Sequence, residues 1–367
     1  MNNKIFMGLR LPPPVHGESL MSTYILGCPT FRERFSISYI DIKAAEKIDD
    51  FNKFSVKKIA NIFATYFKFV YKLIFFKPQV VYIAISPIGI SFYKDAFLIM
   101  AAKLLRKKVV LHLHGKGIDY SISKHSINAK LYPIILKNTY CICLSNALIS
   151  DIDKIQYKQN YILNNAIPVV KNITHNKRKQ EEIVIIFLSN LVEEKGIITF
   201  LHVCAELKKR DLPFKALIAG KPFDISVEYI NNYIEKNSLL KYVEYVGPKF
   251  NNEKNTFLEN ADVMLFPTKY KNETFSLVLL EAMQFGVIPI SSNEGGIPEM
   301  YINNTHGFIT GSEDIQKMAD YIELLQKNNE KYFEVSKAAK AHFNENYTLE
   351  VYDKNLTSIF SKVLESK

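Results

Sequence analysis

Residues 272–300 read NETFSLVLLEAMQFGVIPISSNEGGIPEM, in which an apolar helix-forming run gives way to a β-branched stretch and a glycine pair. Two glutamates, Glu273 and Glu281, stand eight positions apart and flank the apolar run. We expect a helix that begins at residues 272–274, with Glu281 inside it. A carboxylate in an apolar helix needs hydrogen-bond partners. The residues alone leave two kinds of partner open, a salt bridge within the protein or the hydroxyl groups of a bound sugar.

A helix that begins at residues 272–274 would also offer an anion site. Its first free N–H groups, those of Phe275, Ser276 and Leu277, would point at an anion beside Glu273. The alternative is that Glu273 only interacts favourably with the positive end of the helix dipole.

Short β-rich runs alternate with longer helical patterns, such as residues 91–107, along the whole chain, which is typical of parallel α/β layers. The predicted strands are residues 80–86, 108–115, 140–145 and 159–167 in the first half and 183–189, 214–220, 243–247, 261–268 and 286–292 in the second. A chain of 367 residues is long for a single core. We therefore expect two doubly wound domains in tandem, joined by the polar segment 175–182.

The sequence excludes several classes of protein. The N-terminal segment MNNKIFMGLRLPPP has neither the apolar core nor the cleavage site of a secretory signal. The sequence as a whole contains no uncharged apolar run of about 18 residues, the length that a transmembrane helix needs. The four cysteines form no C-x-x-C pair and no metal-binding spacing, which is typical of reduced thiols. We expect a cytoplasmic globular protein.

The positive charge of the chain lies in its first half. Residues 1–175 contain 24 Lys and Arg against 10 Asp and Glu, whereas residues 176–367 contain 23 against 27. This asymmetry predicts that the first half meets an anionic surface or partner. Residues 51–77 mix lysines with aromatic residues at helical spacing, which suits a helix resting on anionic lipid. An ordinary amphipathic helix packed on a sheet is the alternative, and no recognised motif predicts a nucleic acid partner.

Residues directly after predicted strands are candidate site residues, because ligands of open α/β sheets bind beyond the carboxyl ends of the strands. Lys195 and Gly196 follow the strand at 183–189 and open a helix, which combines a cation with free N–H groups for a phosphate. Gly220 follows the strand at 214–220 and would let the backbone approach a ligand closely. Each pattern also occurs without a ligand, where the lysine is simply solvated.

Two further candidates lie in the first half. Gly17 stands between a proline-rich loop and a predicted helix in LRLPPPVHGESLMS, where it could contact a phosphate or a sugar. His114 lies at the carboxyl end of the strand in LHLHG and can donate to a ligand, whereas His112 is expected to be a core residue. The two histidines have a spacing that could bind a metal, but no third ligand is evident, so we expect no metal site.

The stretch ETFSLVLLEAMQFGVIPISSNEGGIPEM resembles the E-x7-E signature of the family-four retaining glycosyltransferases with the GT-B fold. The resemblance extends in order through PPPVHGES, NNAIP, LSNLVEEKGI, LIAG, YVG and ADVMLFPT, and it spans nearly the whole chain. It implies two Rossmann-like, doubly wound parallel-sheet domains that face each other across a cleft. Residues 1–174 would form the acceptor-side domain, 183–348 the nucleotide-sugar domain, and a helix at about 349–367 would return to the first.

The resemblance also implies roles for residues of the second domain. Lys195 would bind the diphosphate, Glu273 would contact hydroxyls of the donor sugar, and Glu281 would hold the ribose. The backbone at 275–277 would lie near the phosphates, and Gly220 would belong to the donor site.

In the first domain, Gly17 would approach the diphosphate, and His114 would contact the sugar near the reacting centre. Two positions depart from the family pattern. Asn190 stands where the family usually has arginine, which leaves open whether another basic residue helps to neutralise the diphosphate. Ser276 stands where glycine is usual.

The resemblance predicts a retaining, metal-independent glycosyltransferase without a cofactor. It would transfer sugar from a UDP- or GDP-linked donor to a glycan or polyprenyl-diphosphate-linked acceptor in the synthesis of bacterial surface polysaccharide. The basic half would place it peripherally on the inner face of the cell membrane. Two alternatives remain, a nucleotide-sugar 2-epimerase and a non-catalytic subunit that binds nucleotide sugar.

Overall fold

A computed structural model of the chain describes residues 3–42, 56–171, 173 and 181–366, without the side chains of residues 56–59. The chain forms two compact units. The N-terminal unit consists of Met1–Ala166 with Leu349–Lys367, and the C-terminal unit consists of Ile167–Thr348. Most of the predicted linker, residues 175–180, lies outside the described residues.

The N-terminal unit is built on a parallel sheet. Its strands are β1 Asn3–Leu9, β2 Phe35–Asp41, β3 Val80–Ile85, β4 Lys108–Leu113, β5 Tyr140–Cys143 and β6 Gln159–Ile162. The strand order is β2-β1-β3-β4-β5-β6, so the chain reverses its direction of winding at β1. Such a switch point is where loops diverge and leave room for a ligand.

Helices flank both faces of this sheet. They are α1 Gly17–Gly27, α2 Pro29–Arg34, α3 Val56–Phe75, α4 Gly89–Leu104, α5 Ile118–Lys124 and α6 Ser126–Leu136, with a 3-10 helix at Asn146–Asp151. Phe69 of α3 packs on Phe6 of β1, with ring centroids 4.9 Å apart. Phe92 of α4 stacks on Tyr132 of α6 at 3.7 Å. These aromatic contacts join α3, α4 and α6 to one side of the sheet.

The C-terminal unit has a second parallel sheet. Its strands are β7 Ile183–Leu188, β8 Phe214–Ala219, β9 Val243–Tyr245, β10 Val263–Phe266, β11 Ile288–Ser292 and β12 Phe308–Thr310, in the order β12-β11-β10-β7-β8-β9. Its helices are α7 Ile197–Lys209, α8 Val227–Lys236, α9 Asn251–Glu259, α10 Leu277–Gln284, α11 Ile297–Met300, α12 Ile315–Lys327 and α13 Asn329–Asn346, with a 3-10 helix at Glu193–Lys195.

The prediction of two doubly wound parallel sheets is confirmed, and each strand predicted from the sequence is present within a residue or a few of the predicted bounds. The prediction lacked β1, β2 and β12. β2 and β12 are edge strands, partly exposed, and β12 has only three residues, so their hydrophobic runs are short and interrupted. Within the described residues, no helix is long and apolar enough to cross a membrane.

The last helix, α14 Leu349–Glu365, belongs to the N-terminal unit. Phe360 of α14 packs edge-on against Phe31 of α2, with centroids 5.0 Å apart. Asp353 is buried and accepts hydrogen bonds from Thr30 N at 2.8 Å and from Phe31 N at 2.9 Å. The C-terminal helix therefore supplies the carboxylate that caps the N-terminus of α2.

We expect Asp353→Ala to lower the free energy of unfolding by about 1–3 kcal/mol, because the buried N–H of Phe31 and the partly buried N–H of Thr30 lose a charged acceptor. Urea unfolding of the purified chain measures this. Glu350→Ala is the matched control on the same helix, since Glu350 forms an exposed pair with Lys354. It should leave the unfolding midpoint unchanged. An equal shift in both variants would contradict the capping role.

Candidate active site

Lys195 and Glu273 form an ion pair at the carboxyl edge of the C-terminal sheet. Lys195 ends the 3-10 helix after β7, and Glu273 lies in the loop after β10, the strand that pairs with β7. Lys195 Nζ lies 2.5 Å from Glu273 Oε2, and the two side chains are 21% and 8% exposed. The ammonium also lies 4.4 Å from the centroid of the Tyr270 ring, in a cation–π contact. The structure therefore brings together two residues that lie 78 positions apart.

The glycine pair singled out in the sequence holds the backbone of Glu273. Gly296 N donates to Thr274 O at 2.9 Å. Gly295 has a φ of +55°, and a Cβ at this position would lie 2.0 Å from Glu273 O. Only glycine fits there, so the turn after β11 fixes the loop that carries Glu273.

The predicted start of the helix at residues 272–274 is wrong. α10 begins at Leu277 with Ser276 as its N-cap residue. Glu273 N donates to Tyr270 O at 2.8 Å, and Thr274 O accepts from Gly296, so this backbone is committed to the loop and cannot begin a helix. Glu273 consequently precedes the helix and does not belong to its first turn.

The same correction changes the expected anion site. Of the three predicted N–H groups, that of Leu277 belongs to the first turn of α10 and that of Ser276 to the cap. Phe275 lies before the cap, and its ring packs against Tyr347 with centroids 5.9 Å apart. The first-turn N–H groups are those of Leu277–Leu279, the orphan donors of the helix start.

Glu281 lies inside α10, as predicted, and forms a second ion pair. Its Oε1 lies 2.6 Å from Nζ of Lys254, the fourth residue of α9. Its Oε2 is buried and has no hydrogen-bond partner among the described residues. Sequence reasoning missed Lys254. The available signal was the position of α9, which starts just beyond the carboxyl end of β9 and therefore places its first turn at the same edge of the sheet.

Asn190 and Gly220 lie beyond the neighbouring strands β7 and β8. Asn190 is exposed, and its carbonyl accepts from Val192 N at 2.7 Å. A Cβ on Gly220 would lie 1.8 Å from Ser189 O, so the two loops touch at this point. The close approach that glycine permits here is between two segments of the chain, and no ligand is needed to explain it.

In the N-terminal unit, Gly17 is the first residue of α1, and His114 directly follows β4. The expectation that His112 is a core residue agrees with its burial and with the hydrogen bond of 2.8 Å between its Nδ1 and Tyr82 Oη. The rings of His112 and His114 lie 4.1 Å apart. Within the described residues, no three His, Cys, Asp or Glu side chains gather as a metal site.

Sequence reasoning also missed a buried ionic cluster around Arg10. Its guanidinium pairs with Glu18 Oε1 at 2.6 Å and with Asp95 Oδ2 at 2.5 Å, and it donates to Ala84 O. Burial alone lowers the pKa of Arg10, but the two carboxylates outweigh it and raise that pKa. Arg10 follows β1, one of the strands that the sequence did not reveal, so its place in this cluster could not be foreseen.

This cluster surrounds His114. Burial lowers the pKa of His114 to about 4, with a smaller contribution of the same sign from the Arg10 cation and an opposing one from Glu18. The imidazole is therefore neutral at neutral pH and can donate from one nitrogen and accept at the other.

The chain is similar to known proteins in both sequence and fold. Residues 170–342 match the family described as Glycosyl transferases group 1. An uncharacterized 41.2 kDa protein in the cps region of Klebsiella pneumoniae is 27% identical over 354 residues, 94% of this chain and 88% of that protein. The amylovoran biosynthesis glycosyltransferase AmsK of Erwinia amylovora is 26% identical over 183 residues, 49% of this chain. The match covers only 44% of AmsK, so the chain spans less than half the length of that relative.

Among solved structures, HepE of Anabaena in complex with UDP is similar over 98% of this chain and 100% of that one, with a TM-score of 0.73. The sequence identity is 15%, so this similarity bears on the fold alone. The expected α/β fold of the GT-B type, with a Rossmann-like sheet in each unit, is confirmed.

Because His114 stays neutral when folded, its burial should make the chain less stable in acid. Unfolded histidine binds a proton below about pH 6.5, whereas the folded ring does so only near pH 4. The unfolded state thus binds more protons between these values, and the free energy of unfolding falls as pH drops through them. In His114→Gln the free energy of unfolding should fall less between about pH 7 and about pH 5. Urea unfolding at these two pH values measures the difference.

His202→Gln is the control, since His202 is exposed and solvent reaches its ring in both states. It should keep the slope of the unaltered chain. A slope in His114→Gln that equals that of the unaltered chain would show that His114 is not held neutral by the fold.

Proposed function

We propose that this chain, whose residues 170–342 match the family Glycosyl transferases group 1, is a retaining glycosyltransferase. It would transfer a sugar from a nucleotide-diphosphate sugar to a hydroxyl of a glycan or lipid-linked acceptor. The observation that carries the proposal is the ion pair of Lys195 with Glu273, held at the carboxyl edge of the sheet where ligands of such folds bind.

The charges of this pair match the two parts of the donor. Breaking the anomeric C–O bond leaves negative charge on the nucleotide diphosphate. Lys195 Nζ and the first-turn N–H groups of α10 would stabilise that charge, and Glu273 would accept hydrogen bonds from sugar hydroxyls. Because this positive charge is already in place, we propose that the reaction needs neither a metal ion nor a cofactor.

The proposed chemistry needs no enzymic nucleophile. The acceptor oxygen forms its bond to the anomeric carbon on the face from which the diphosphate departs, which retains configuration. The acceptor hydroxyl gives its proton to the departing phosphate oxygen, so atoms and charge balance. For Gly17 and His114 of the N-terminal unit, the roles that the family resemblance implies stay predictions.

The names of similar proteins support narrower proposals about substrates. HepE was solved with UDP, which makes a UDP-sugar the first donor to test before a GDP-sugar. The amylovoran biosynthesis of AmsK and the cps region of the Klebsiella protein support the proposal of a role in bacterial surface polysaccharide synthesis. A polyprenyl-diphosphate-linked glycan is the acceptor that the family resemblance leads us to propose. Incubation with donor alone tests the first alternative, because a 2-epimerase would release an epimerised sugar. Incubation with donor and acceptor tests the second, because a binding subunit would bind nucleotide without any transfer.

We expect Lys195→Ala and Glu273→Ala each to reduce turnover by about 100-fold or more, the scale on which one preorganised group acts in a transition state. The rate of nucleotide release from the donor, with acceptor present, is the measurement. Lys215→Ala is the control, because Lys215 forms an exposed pair with Glu244 in the same unit. Near-normal turnover in both site variants would overturn the assignment.

The N-terminal unit offers a surface for a lipid-carried acceptor. α3 exposes Phe63, Phe67, Tyr71, Ile74 and Phe75, which form one stripe along the described part of the predicted 51–77 segment. α4 exposes a second stripe, with steps of three or four residues: Ile90, Tyr93, Phe97, Met100 and Leu104. The stacking of Tyr66 on Phe97 at 4.4 Å joins the two helices. We name these two stripes the apolar face.

The charge around the apolar face favours anionic lipid. The sequence of α3 contains no Asp or Glu, and the single acid of α4, Asp95, is buried in the Arg10 cluster. Lys68 is exposed and Lys94 partly so. Apolar side chains among lysines, with no exposed carboxylate on either described helix, match an anionic membrane surface. We therefore propose that the protein lies in the cytoplasm and associates peripherally with the inner face of the cell membrane.

We expect the double variant Ile90→Gln, Leu104→Gln to bind phosphatidylglycerol vesicles about 10-fold more weakly, because two large apolar side chains no longer enter the lipid. Co-sedimentation measures this, with phosphatidylcholine vesicles as the neutral comparison. Leu240→Gln, Ile302→Gln is the matched control, since both residues are exposed in the C-terminal unit. Equal and negligible binding to both lipids would remove the membrane proposal. A dimer in solution that the α4 variant abolishes would assign the face to a second copy of the chain.

A further inference from the structure

We infer that Lys254 is a positioning residue of the donor site: it holds one oxygen of Glu281 so that the other receives a hydroxyl of the nucleotide's ribose. The inference rests on the proposed function, since it assumes that the C-terminal unit binds a nucleotide-diphosphate sugar. It adds a residue that neither the E-x7-E pattern nor the strand-end reasoning identified.

The first observation is that the two oxygens of Glu281 have unequal surroundings. Oε1 lies 2.6 Å from Lys254 Nζ, whereas Oε2 is buried without a partner among the described residues. A buried acceptor that loses its hydrogen bonds to water costs about 1–3 kcal/mol. An outside donor that reaches Oε2 removes this cost, and a ribose hydroxyl is such a donor.

The second observation is the exposure of Lys254. Its side chain is 30% exposed, more than the 19% of Glu281. An ammonium has three N–H donors, and the contact with Glu281 occupies one of them. Solvent, or a ligand in its place, can therefore reach the ammonium. A ribose offers a hydroxyl that donates to Oε2 while the ammonium stays on Oε1.

The third observation concerns charge. A bare carboxylate at Glu281 would repel a nucleotide that carries a diphosphate, and the repulsion would be large in a partly buried site. Lys254 cancels that charge while leaving the hydrogen-bonding capacity of Oε2.

The two lysines then lie at different parts of the expected donor. Lys195 pairs with Glu273 beside the expected position of the sugar and diphosphate, and Lys254 pairs with Glu281 at the expected position of the ribose. Each carboxylate is thereby held in one orientation by a cation from a different loop or helix. Lys254 acts through Glu281 and lies away from the bond that breaks, so its loss should affect donor binding more than the chemical step.

The test compares Lys254→Met, which keeps the length of the side chain without its charge, with Lys254→Arg, which keeps the charge. UDP and 2′-deoxy-UDP are the probes, titrated by calorimetry. We expect Lys254→Met to weaken UDP binding about 10-fold and to bring the affinities for the two nucleotides close together. Lys254→Arg should restore most of the UDP affinity and most of the difference in affinity between UDP and 2′-deoxy-UDP. The control, Lys215→Met, removes an exposed pair in the same unit and should behave as the unaltered chain.

A double-mutant cycle shows whether Lys254 acts through Glu281. If it does, Lys254→Met added to Glu281→Gln changes UDP affinity no further, because the carboxylate that it orients is already gone. In steady-state assays, KM for the donor should rise in Lys254→Met while kcat stays within about threefold. A general loss of structure would lower kcat as well as the UDP affinity, and Lys254→Arg would not reverse it.

The outcomes separate this inference from the proposed function. If the unaltered chain binds GDP rather than UDP, then GDP and its 2′-deoxy analogue replace the UDP pair as probes. If Lys254→Met binds the nucleotide and its 2′-deoxy analogue with the same affinities as the unaltered chain, the inference is overturned and the function stands. If additive losses appear in the double-mutant cycle, Lys254 does not act through Glu281. If the unaltered chain binds neither UDP nor GDP, the proposed function fails, and the role of Lys254 fails with it.

Discussion

The contact between Lys195 and Glu273 sets the conditions for the whole C-terminal site. Glu273 is almost completely buried. Removing one partner of a buried ion pair typically destabilises a protein by about 3–5 kcal/mol, because the other charge is left uncompensated. The pair therefore requires that β7 and β10 be neighbours, so that the loops after them meet. It also requires the turn with Gly295, which allows the backbone of Glu273 to pass close by.

The same solution recurs at two other places in the structure. Lys254 reaches Glu281 from one helix to the next, and in the N-terminal unit Arg10 holds Glu18 and Asp95. The cation comes in each case from a different element than the acid. Such pairs add little net stability, because desolvation offsets much of the attraction. Their consequence is orientation, since each acid is fixed in one rotamer and its remaining lone pairs point in a defined direction.

The sequence predicted the layers of the fold better than the details of the site. Buried parallel strands such as β3 and β7 are continuous apolar runs, which periodicity detects without knowledge of their partners. The start of α10 was mispredicted because local propensity favours a helix from residue 272 onwards. A hydrogen bond from Gly296 to Thr274 prevents it, and that contact depends on where β11 lies relative to β10.

The missed residues share this origin. Lys254 and Arg10 have no local feature that marks them, since a lysine in a polar helix and an arginine before a proline-rich loop are ordinary surface patterns. Their importance comes from partners 27 and 85 positions away, respectively. Conversely, Gly220 was singled out for approach to a ligand, while in the structure it touches the loop at Ser189. A glycine reports that something comes close, but only the fold identifies what that is.

The two units manage charge in opposite ways, and this follows from the charge asymmetry of the sequence. In the C-terminal unit, Lys195 and Lys254 each pair with a glutamate, so the proposed nucleotide would meet oriented ion pairs rather than a bare cationic patch. In the N-terminal unit, α3 has no acid, and its exposed Lys68 lies among the aromatic side chains of the apolar face. The membrane association proposed above would bring these groups against a surface that is apolar inside and anionic at its boundary, where apolar rings and a lysine are both favourable. On that proposal, the basic half of the chain reflects a partner outside the protein, whereas the mildly acidic half contains internal pairs such as Lys195 with Glu273 and Lys254 with Glu281.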